Sequence, residues 1–427
     1  VKKALIICYY WPPAGGPGVQ RWLKFVKYLR EFNIEPIVYV PENPHYPIVD
    51  SSLIEEIPEG ITILKKPIYE PYALAGLFSK SQIQQISSGI INDNSKQSIL
   101  QRLFLFIRGN LFIPDARKWW VKPSVSYLMS YIKSNGIDLL ITTGPPHSLH
   151  LIGRQLKRKT GLPWIADFRD PWTTIGYHKK LKLTKRSSAK HKKLELEVLS
   201  SADHILVTST TTKKDFKKIT DTPISCITNG FDTIKKSGSV LDKKFTLAHI
   251  GSLLEDRNPK ILWQSLKELS DELPDFSKDL SIELTGKVSA SIISDIESYH
   301  LTNNLSLPGY VTHNEAIQRQ NSAQLLLLIE IDSYDTQAII PGKLFEYMAS
   351  GRPIIGIGPR ESDVIEILKT TQSGNYFTYT EKKNLKNTII EYYRAFKGSG
   401  ISNTTGDLTA YTRKELTRQL SEIIHQY

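Results

Sequence analysis

ALIICYYWPPAGGPGVQRWLKFVKYLREFNIEPIVYV, Ala4 to Val40, holds two apolar runs around a glycine loop and a helical period. Ala4 to Tyr10 is an unbroken apolar run, as expected of a parallel strand covered on both faces. WPPAGGPG interrupts it, and Val19, Trp22, Leu23, Val26 and Leu29 then recur at helical spacing up to Phe32. Ile37 to Val40 is a second strand. Strand, glycine loop, helix and strand in that order begin a doubly wound sheet. Arg21 stands where a dinucleotide fingerprint starting at Gly16-x-Gly18 needs its third glycine, so an NAD site is disfavoured. Gly15, Gly16 and Gly18 still let the backbone approach a ligand closely, the plainer reading being a tight turn.

Outward from this stretch the alternation lapses between about 69 and 122, then returns. Ser124 to Ser134 reads as a helix, Asp138 to Thr142 as a strand, TTGPPHSLHLIGRQLKRK as a loop and helix, and PWIADF as a further strand. Ligands of open parallel sheets sit beyond the carboxyl ends of the strands. His147 and the group Asp167, Arg169 and Asp170 fall there, so they are candidates for substrate chemistry, against a structural Asp–Arg pair. ADHILVTS and ISCITNGFD add two strands, and Ile234 to Lys244 reads as a linker. FTLAHIGSL, LSIELTG, LSLPGYV, AQLLLLIE and PIIGIG form a second series. The expected domains are 1–233, with an insertion over about 69–122, then 245–408, and a C-terminal helix within 409–427 that crosses back to the first domain.

In the second series AIIPGKLFEYMASGRPIIGIG, Ala338 to Gly358, places a helix from Lys343 to Ala349 behind Pro341 and Gly342, with Gly351 and Pro353 ending it. A helix N-terminus after a glycine offers unpaired N–H groups and partial positive charge to a phosphate. Lys343 stands on that first turn, and Glu346 is placed to accept from the paired hydroxyls of a ribose. The plainer reading makes Glu346 a solvated residue and Leu344, Phe345 and Met348 a buried helix face.

The chain's 427 residues carry 55 basic and 43 acidic side chains, a net charge of +12 that favours an anionic partner. Basic residues are dispersed and no nucleic-acid module is visible, so no nucleic-acid partner is expected. Cys8 and Cys226 lie in apolar runs and read as core thiols. No run of 18 apolar residues occurs, and the expectation is a cytoplasmic protein. Leu103, Phe104, Phe106 and Ile107, flanked by Arg102 and Arg108, resemble a surface that lies on a bilayer, which would give peripheral contact with an anionic membrane, the plainer reading being an insertion helix packed on its own domain.

GGPGVQR, PPHSLHLIG, WIADFRDPW, ITNGFD, HIGSLLEDRNP and PGKLFEYMASGRPII, in this order, resemble the retaining, nucleotide-sugar-dependent glycosyltransferases of family four. The resemblance implies an α/β chain of GT-B type, with two Rossmann-like doubly wound parallel-sheet domains facing a central cleft. It implies transfer of a sugar from a nucleotide-diphosphate donor to a glycan or lipid-linked acceptor, in surface polysaccharide biosynthesis, without metal or cofactor. The donor site it implies comprises Gly16, Gly18, Gly251, Ser252, Arg257, Ile340, Gly342, Lys343, Leu344 and Glu346. Ser252 replaces the family's arginine and Arg257 its lysine, so Lys343 is the substitute cation. Ala338 replaces the first of two family glutamates, which leaves sugar contacts to the N–H groups of Ile339 and Ile340. The acceptor site comprises Gly15, Gly16, Arg21 and His147. Asp167, Arg169, Asp170, Arg257 and Lys343 are the implied catalytic groups, with the choice between Asp167 and Asp170 left open. The alternatives are a nucleotide-sugar epimerase of similar architecture and a non-catalytic anion-binding protein.

Overall fold

In the computed structural model, residues 1–70, 99–179, 181–232, 240–402 and 406–427 are described. The linker expected over 234–244 falls mostly outside them, as do 71–98 of the expected insertion and the side chain of Phe104. The chain forms two units, Val1–Asn229 with Arg413–Tyr427, and Gly230–Thr412.

The first unit is built on seven parallel strands: β1 (Lys2–Ile7), β2 (Ile34–Pro41), β3 (Thr62–Lys66), β4 (Leu139–Gly144), β5 (Trp164–Phe168), β6 (His204–Val207) and β7 (Ile224–Cys226). Their order is β3-β2-β1-β4-β5-β6-β7, so the winding reverses between β1 and β4. The apolar run of β1 is explained by its two destinations. Leu5 and Ile7 enter one core with Tyr39, Leu140 and Trp164. Ala4, Ile6 and Cys8 enter another with Trp22, Val38 and Ile141 on the opposite face. Leu416, Leu420 and Ile424 of the C-terminal helix Arg413–His425 complete that second core. Lys2 Nζ donates to the Ile424 carbonyl at 3.2 Å, and Lys414 pairs with Glu31 at 2.6 Å.

The second unit repeats the plan with β8 (Phe245–Ile250), β9 (Leu280–Thr285), β10 (Leu305–Gly309), β11 (Leu325–Ile329), β12 (Ile354–Gly358) and β13 (Gly374–Thr378). The order β10-β9-β8-β11-β12-β13 puts the reversal between β8 and β11. Phe245 and Leu247 face one core, Ala248 and Ile250 the other. The doubly wound, parallel α/β class expected from Ala4–Val40 is therefore observed twice. The helix read from Ser124 begins at Lys118 and carries Pro123 inside it. Over 99–111 the expected insertion holds a helix, Ile99–Leu111.

Two residues read as substrate-facing are instead consumed by the first unit. Arg21, on the helix Pro17–Leu29, and Asp167, on β5, are both fully buried and paired at 2.9 Å. Arg21 Nη1 donates to the carbonyls of Ile227 and Thr228, each at 2.9 Å. Asp167 also accepts from Trp22 Nε1 at 2.7 Å and Thr143 Oγ1 at 2.8 Å. Burial alone would raise its pKa; Arg21 and these donors outweigh that and hold it below the usual carboxylate range. The acceptor role expected of Arg21 and the substrate role of Asp167 are thus corrected. Neither side chain reaches solvent, and each neutralises the other.

Removing one member strands the other's charge in the core. Asp167→Asn is expected to cost about 3–5 kcal/mol of unfolding free energy at neutral pH, measured by urea denaturation. The depressed carboxyl makes its full contribution above the unfolded carboxylate pKa, so the deficit shrinks as pH falls from that value through the lower native pKa. A variant as stable as wild type at pH 7 would contradict this account.

Candidate donor site at a topological switch point

In the second unit the strands diverge where the winding reverses. The β8–β11 register runs only over Leu247–Leu325 and Ala248–Leu326. Beyond it, on β8, the buried His249 ring bonds through Nδ1 to the carbonyl of Leu327 on β11 at 2.9 Å. A carbonyl can only accept, so Nδ1 carries the proton and Nε2 is left with its lone pair. Burial, and then the neighbouring Lys343, depress this histidine well below its ordinary pKa, so the ring is neutral.

Gly251 follows β8 with φ 119°. A Cβ at this position would lie 2.7 Å from Lys343 Nζ, so the missing side chain is what admits the ammonium. The helix Lys343–Ser350 delivers it. That helix is tied to the end of β8 by Tyr347, whose hydroxyl accepts from the Ile250 N–H at 2.9 Å, one turn beyond Lys343. Lys343 Nζ lies 3.3 Å from His249 Nε2. Burial first, and Arg257 second, lower the lysine pKa from 10.5 to about 7, with Glu346 opposing. Neither Lys343 nor Arg257 forms an ion pair among the described residues, although Glu346 acts on the first and Glu330 feels the second at longer range. The N–H groups of Gly342 and Lys343 likewise have no partner among them. Lys343 thus stands over Gly251 beside a helix N-terminus, with Arg257 close enough to act on it, and the carboxylates that feel these cations, Glu346 and Glu330, form no ion pair with either.

The remaining donor-site expectations divide. Glu346 is half-buried, with Gln320 Nε2 3.4 Å from its Oε2. Ser252 is exposed. Leu344 is corrected: its side chain is in the core, and its N–H bonds to the Pro341 carbonyl at 3.0 Å. The N–H of Ile339 is taken by the Thr336 carbonyl at 2.9 Å, which removes it as a sugar contact, whereas that of Ile340 has no partner among the described residues.

Two residues went unread in the sequence, His249 and Glu330. Glu330 follows β11, is buried, and accepts from Ser362 Oγ at 2.9 Å and the Tyr376 hydroxyl at 2.6 Å. Burial pushes its carboxyl up to about 7 against those two donors. Each is the one ionisable residue in an apolar strand run, near its carboxyl end, and that signal was present in FTLAHIGSL and AQLLLLIE.

In the first unit, Gly16 caps the helix Pro17–Leu29 with φ 93°, and Gly15 donates its N–H to the Ile48 carbonyl at 2.9 Å. A side chain at Gly18 would collide with Arg169 Nη1, so the loop and the end of β5 are fitted to each other. Arg169 is half-buried, lies 5.6 Å from the Tyr10 ring centroid and donates to the Pro145 carbonyl. Asp170 is half-buried, and burial raises its pKa despite Arg169. His147 is corrected as an acceptor contact. It is buried and stacked on Trp172 at 4.8 Å, and both ring nitrogens are enclosed without a hydrogen bond.

Residues 93–235 match the family model described as Glycosyltransferase Family 4. No curated protein matches the sequence. Solved structures match its whole length. Sucrose-phosphate synthase from Thermosynechococcus elongatus is 13% identical with a TM-score of 0.58, covering 100% of this chain and 99% of its own. The lipopolysaccharide outer core galactosyltransferase WaaB, apo form, is 14% identical at 0.57, covering 100% and 99%. The fold is GT-B. A putative UDP-N-acetylglucosamine 2-epimerase from Listeria monocytogenes shares it, at 10% identity and 0.56, covering 100% and 96%. These likenesses are of fold; the chemistry has to come from the residues.

The buried lysine carries a stability signature. Its native pKa lies below the unfolded value, so between about pH 7 and 10 the unfolded chain binds more protons and native stability rises with pH. Lys343→Met is therefore expected to melt higher than wild type near pH 6, with an advantage that shrinks as pH rises above about 7 and vanishes only near the unfolded lysine pKa of 10.5. Calorimetry of the empty protein across this range checks it; a pH-independent difference would contradict the charge argument.

Proposed function

We propose that the chain is a nucleotide-sugar-dependent glycosyltransferase whose second unit holds the donor. One observation carries the proposal: Lys343 sits over Gly251 beside open helix N–H groups, under the field of a second cation, Arg257, and in ion-pair contact with no carboxylate. A diphosphate supplies the missing negative charge and enough acceptor oxygens for both cations and the N–H groups. Glu346, one turn along the helix, accepts from the ribose hydroxyls. The family match over 93–235 supports transfer over other uses of the fold.

The proposed reaction is retaining and needs no metal. The bond from the anomeric carbon to the donor phosphate breaks while that carbon bonds to an acceptor hydroxyl oxygen on the same face, and the hydroxyl proton passes to the departing phosphate oxygen. Lys343, Arg257 and the helix N-terminus stabilise the charge that develops on that oxygen. Arg169 and Asp170, beyond β5, are the proposed contacts of the acceptor.

Lys343→Ala and Arg257→Ala should each weaken binding of UDP, GDP or dTDP, whichever the wild type binds best, by at least about tenfold. Glu346→Gln should weaken the nucleotide while sparing inorganic pyrophosphate, because only the nucleotide carries a ribose. Calorimetric titration measures both, and unchanged affinities would remove the site assignment. An epimerised nucleotide-sugar, formed from the donor alone, would favour the epimerase reading.

The proposed acceptor is a glycan or lipid-linked glycan of surface polysaccharide synthesis, met at the cytoplasmic face of a membrane. No helix among the described residues is long and apolar enough to cross one. Leu103, Phe106, Leu111 and Trp119 are nevertheless exposed on or beside the helix Ile99–Leu111. Lys118 Nζ lies 5.6 Å from the Trp119 ring centroid. Asn110 ties the end of the helix to Lys182 and Thr184, next to Lys185, Arg186 and Lys190. Apolar side chains ringed by cations suit an anionic bilayer. Phe106→Glu with Trp119→Glu should abolish flotation with phosphatidylglycerol vesicles; flotation equal to wild type would discard the surface.

A further inference from the structure

Lys343 has a protein partner that the diphosphate reading does not use. Its only hydrogen-bonding neighbour among the described residues is a ring nitrogen of His249, 3.3 Å away. The ring cannot rotate freely, because Nδ1 is committed to the Leu327 carbonyl where β8 and β11 part. Gly251 supplies the space in which Nζ sits.

We propose that His249 is a positioning residue for Lys343: the Leu327 carbonyl fixes its tautomer, and the lone pair of Nε2 orients the ammonium over Gly251 for the donor diphosphate. The proposal rests on the donor-site reading for its consequence, but the hold of His249 on Lys343 stands on the empty protein. A flexible lysine in a half-buried site would lose several rotamers when it binds an anion; one already aimed loses fewer. The neutral ring is suited to this. A protonated histidine would repel the ammonium, and an apolar residue would leave it without an acceptor.

The charged and titratable groups facing Lys343 set how this hold titrates. Arg257, from the turn after β8, favours the neutral amine, and Glu346, on the lysine's own helix, favours the ammonium. From β8 itself come the His249 ring and, just beyond the strand, the Ser252 main chain against that ring. The acceptor on His249 adds to the side that favours the ammonium. Deleting it therefore moves the lysine titration toward lower pH.

The substitutions His249→Asn and His249→Gln separate the two ring functions. Asn retains a donor where Nδ1 was, towards Leu327, and removes the acceptor; Gln returns an acceptor near the Nε2 position. In the ligand-free protein the ¹³Cε resonance of Lys343, identified by its absence in Lys343→Arg, should titrate at lower pH in His249→Asn and recover in His249→Gln. An unchanged midpoint in His249→Asn overturns the proposal. A second measurement needs no variant: the ring ¹⁵N shifts of His249 should report Nδ1–H with unprotonated Nε2, and the opposite tautomer overturns it.

Nucleotide binding gives the functional arm. His249→Asn should weaken the best-bound of UDP, GDP and dTDP by about tenfold, the range for a bond to a charged group, and should shift the alkaline limb of binding to lower pH. In a Lys343→Met background the same substitution should have no further effect. An equal loss in both backgrounds shows that His249 acts on the fold and not through Lys343, and overturns the proposal. Failure of the wild type to bind any of the three nucleotides would remove the donor-site reading, while the titration and the tautomer still decide the role of His249.

Discussion

A parallel sheet covered on both faces has no solvent-facing side, and this constraint governs where the polar chemistry of the chain resides. Every ionisable group on such a sheet must either be closed off by protein partners or sit where the strands end. Both solutions occur. In the first unit the carboxylate of Asp167 is closed off by Arg21, Trp22 and Thr143. In the second, the ammonium of Lys343 meets one neutral ring and a second cation. The first arrangement is satisfied as it stands. The second is offset only by Glu346, which pairs with neither cation.

This difference explains how much was legible in the sequence. The doubly wound class followed from Ala4–Val40 because an apolar run followed by a glycine loop and a helical period has few other outcomes. The helix start at Lys343 and its end at Gly351 were readable for the same reason, since each follows from local chain geometry, whereas Gly251 entered only through the family resemblance. Asp167 was not. Its position at the end of β5 is the one a catalytic carboxylate would take, and its neutralising partner Arg21 lies 146 residues earlier. Whether a charge is open or closed depends on such distant partners, which spacing does not encode. His147 misled in the same way: its neighbour Trp172 converts a strand-end histidine into a stacked core ring.

His249 and Glu330 show the converse. Both stand in apolar runs, where an isolated ionisable residue reads as a satisfied core group, and both are hydrogen-bonded as that reading requires. Their significance comes from the divergence of β8 and β11. It leaves a carbonyl for Nδ1 of His249 and so turns the other nitrogen toward Lys343. Strand order decides this, and strand order is a tertiary property.

The two units also distribute cost differently. The Arg21–Asp167 network contributes stability and offers no free valence, so substitution there weakens the fold before it touches any substrate. Lys343 works in the opposite sense. Its ammonium is disfavoured in the empty protein by burial and by Arg257, and its loss should relieve that strain while removing the means of holding an anion. A site that is destabilising when empty gains more from its ligand than one already neutralised, because the same anion that is bound also restores the charge balance. That asymmetry is why the donor diphosphate is proposed to lie at the cations of the second unit and not in the closed network of the first.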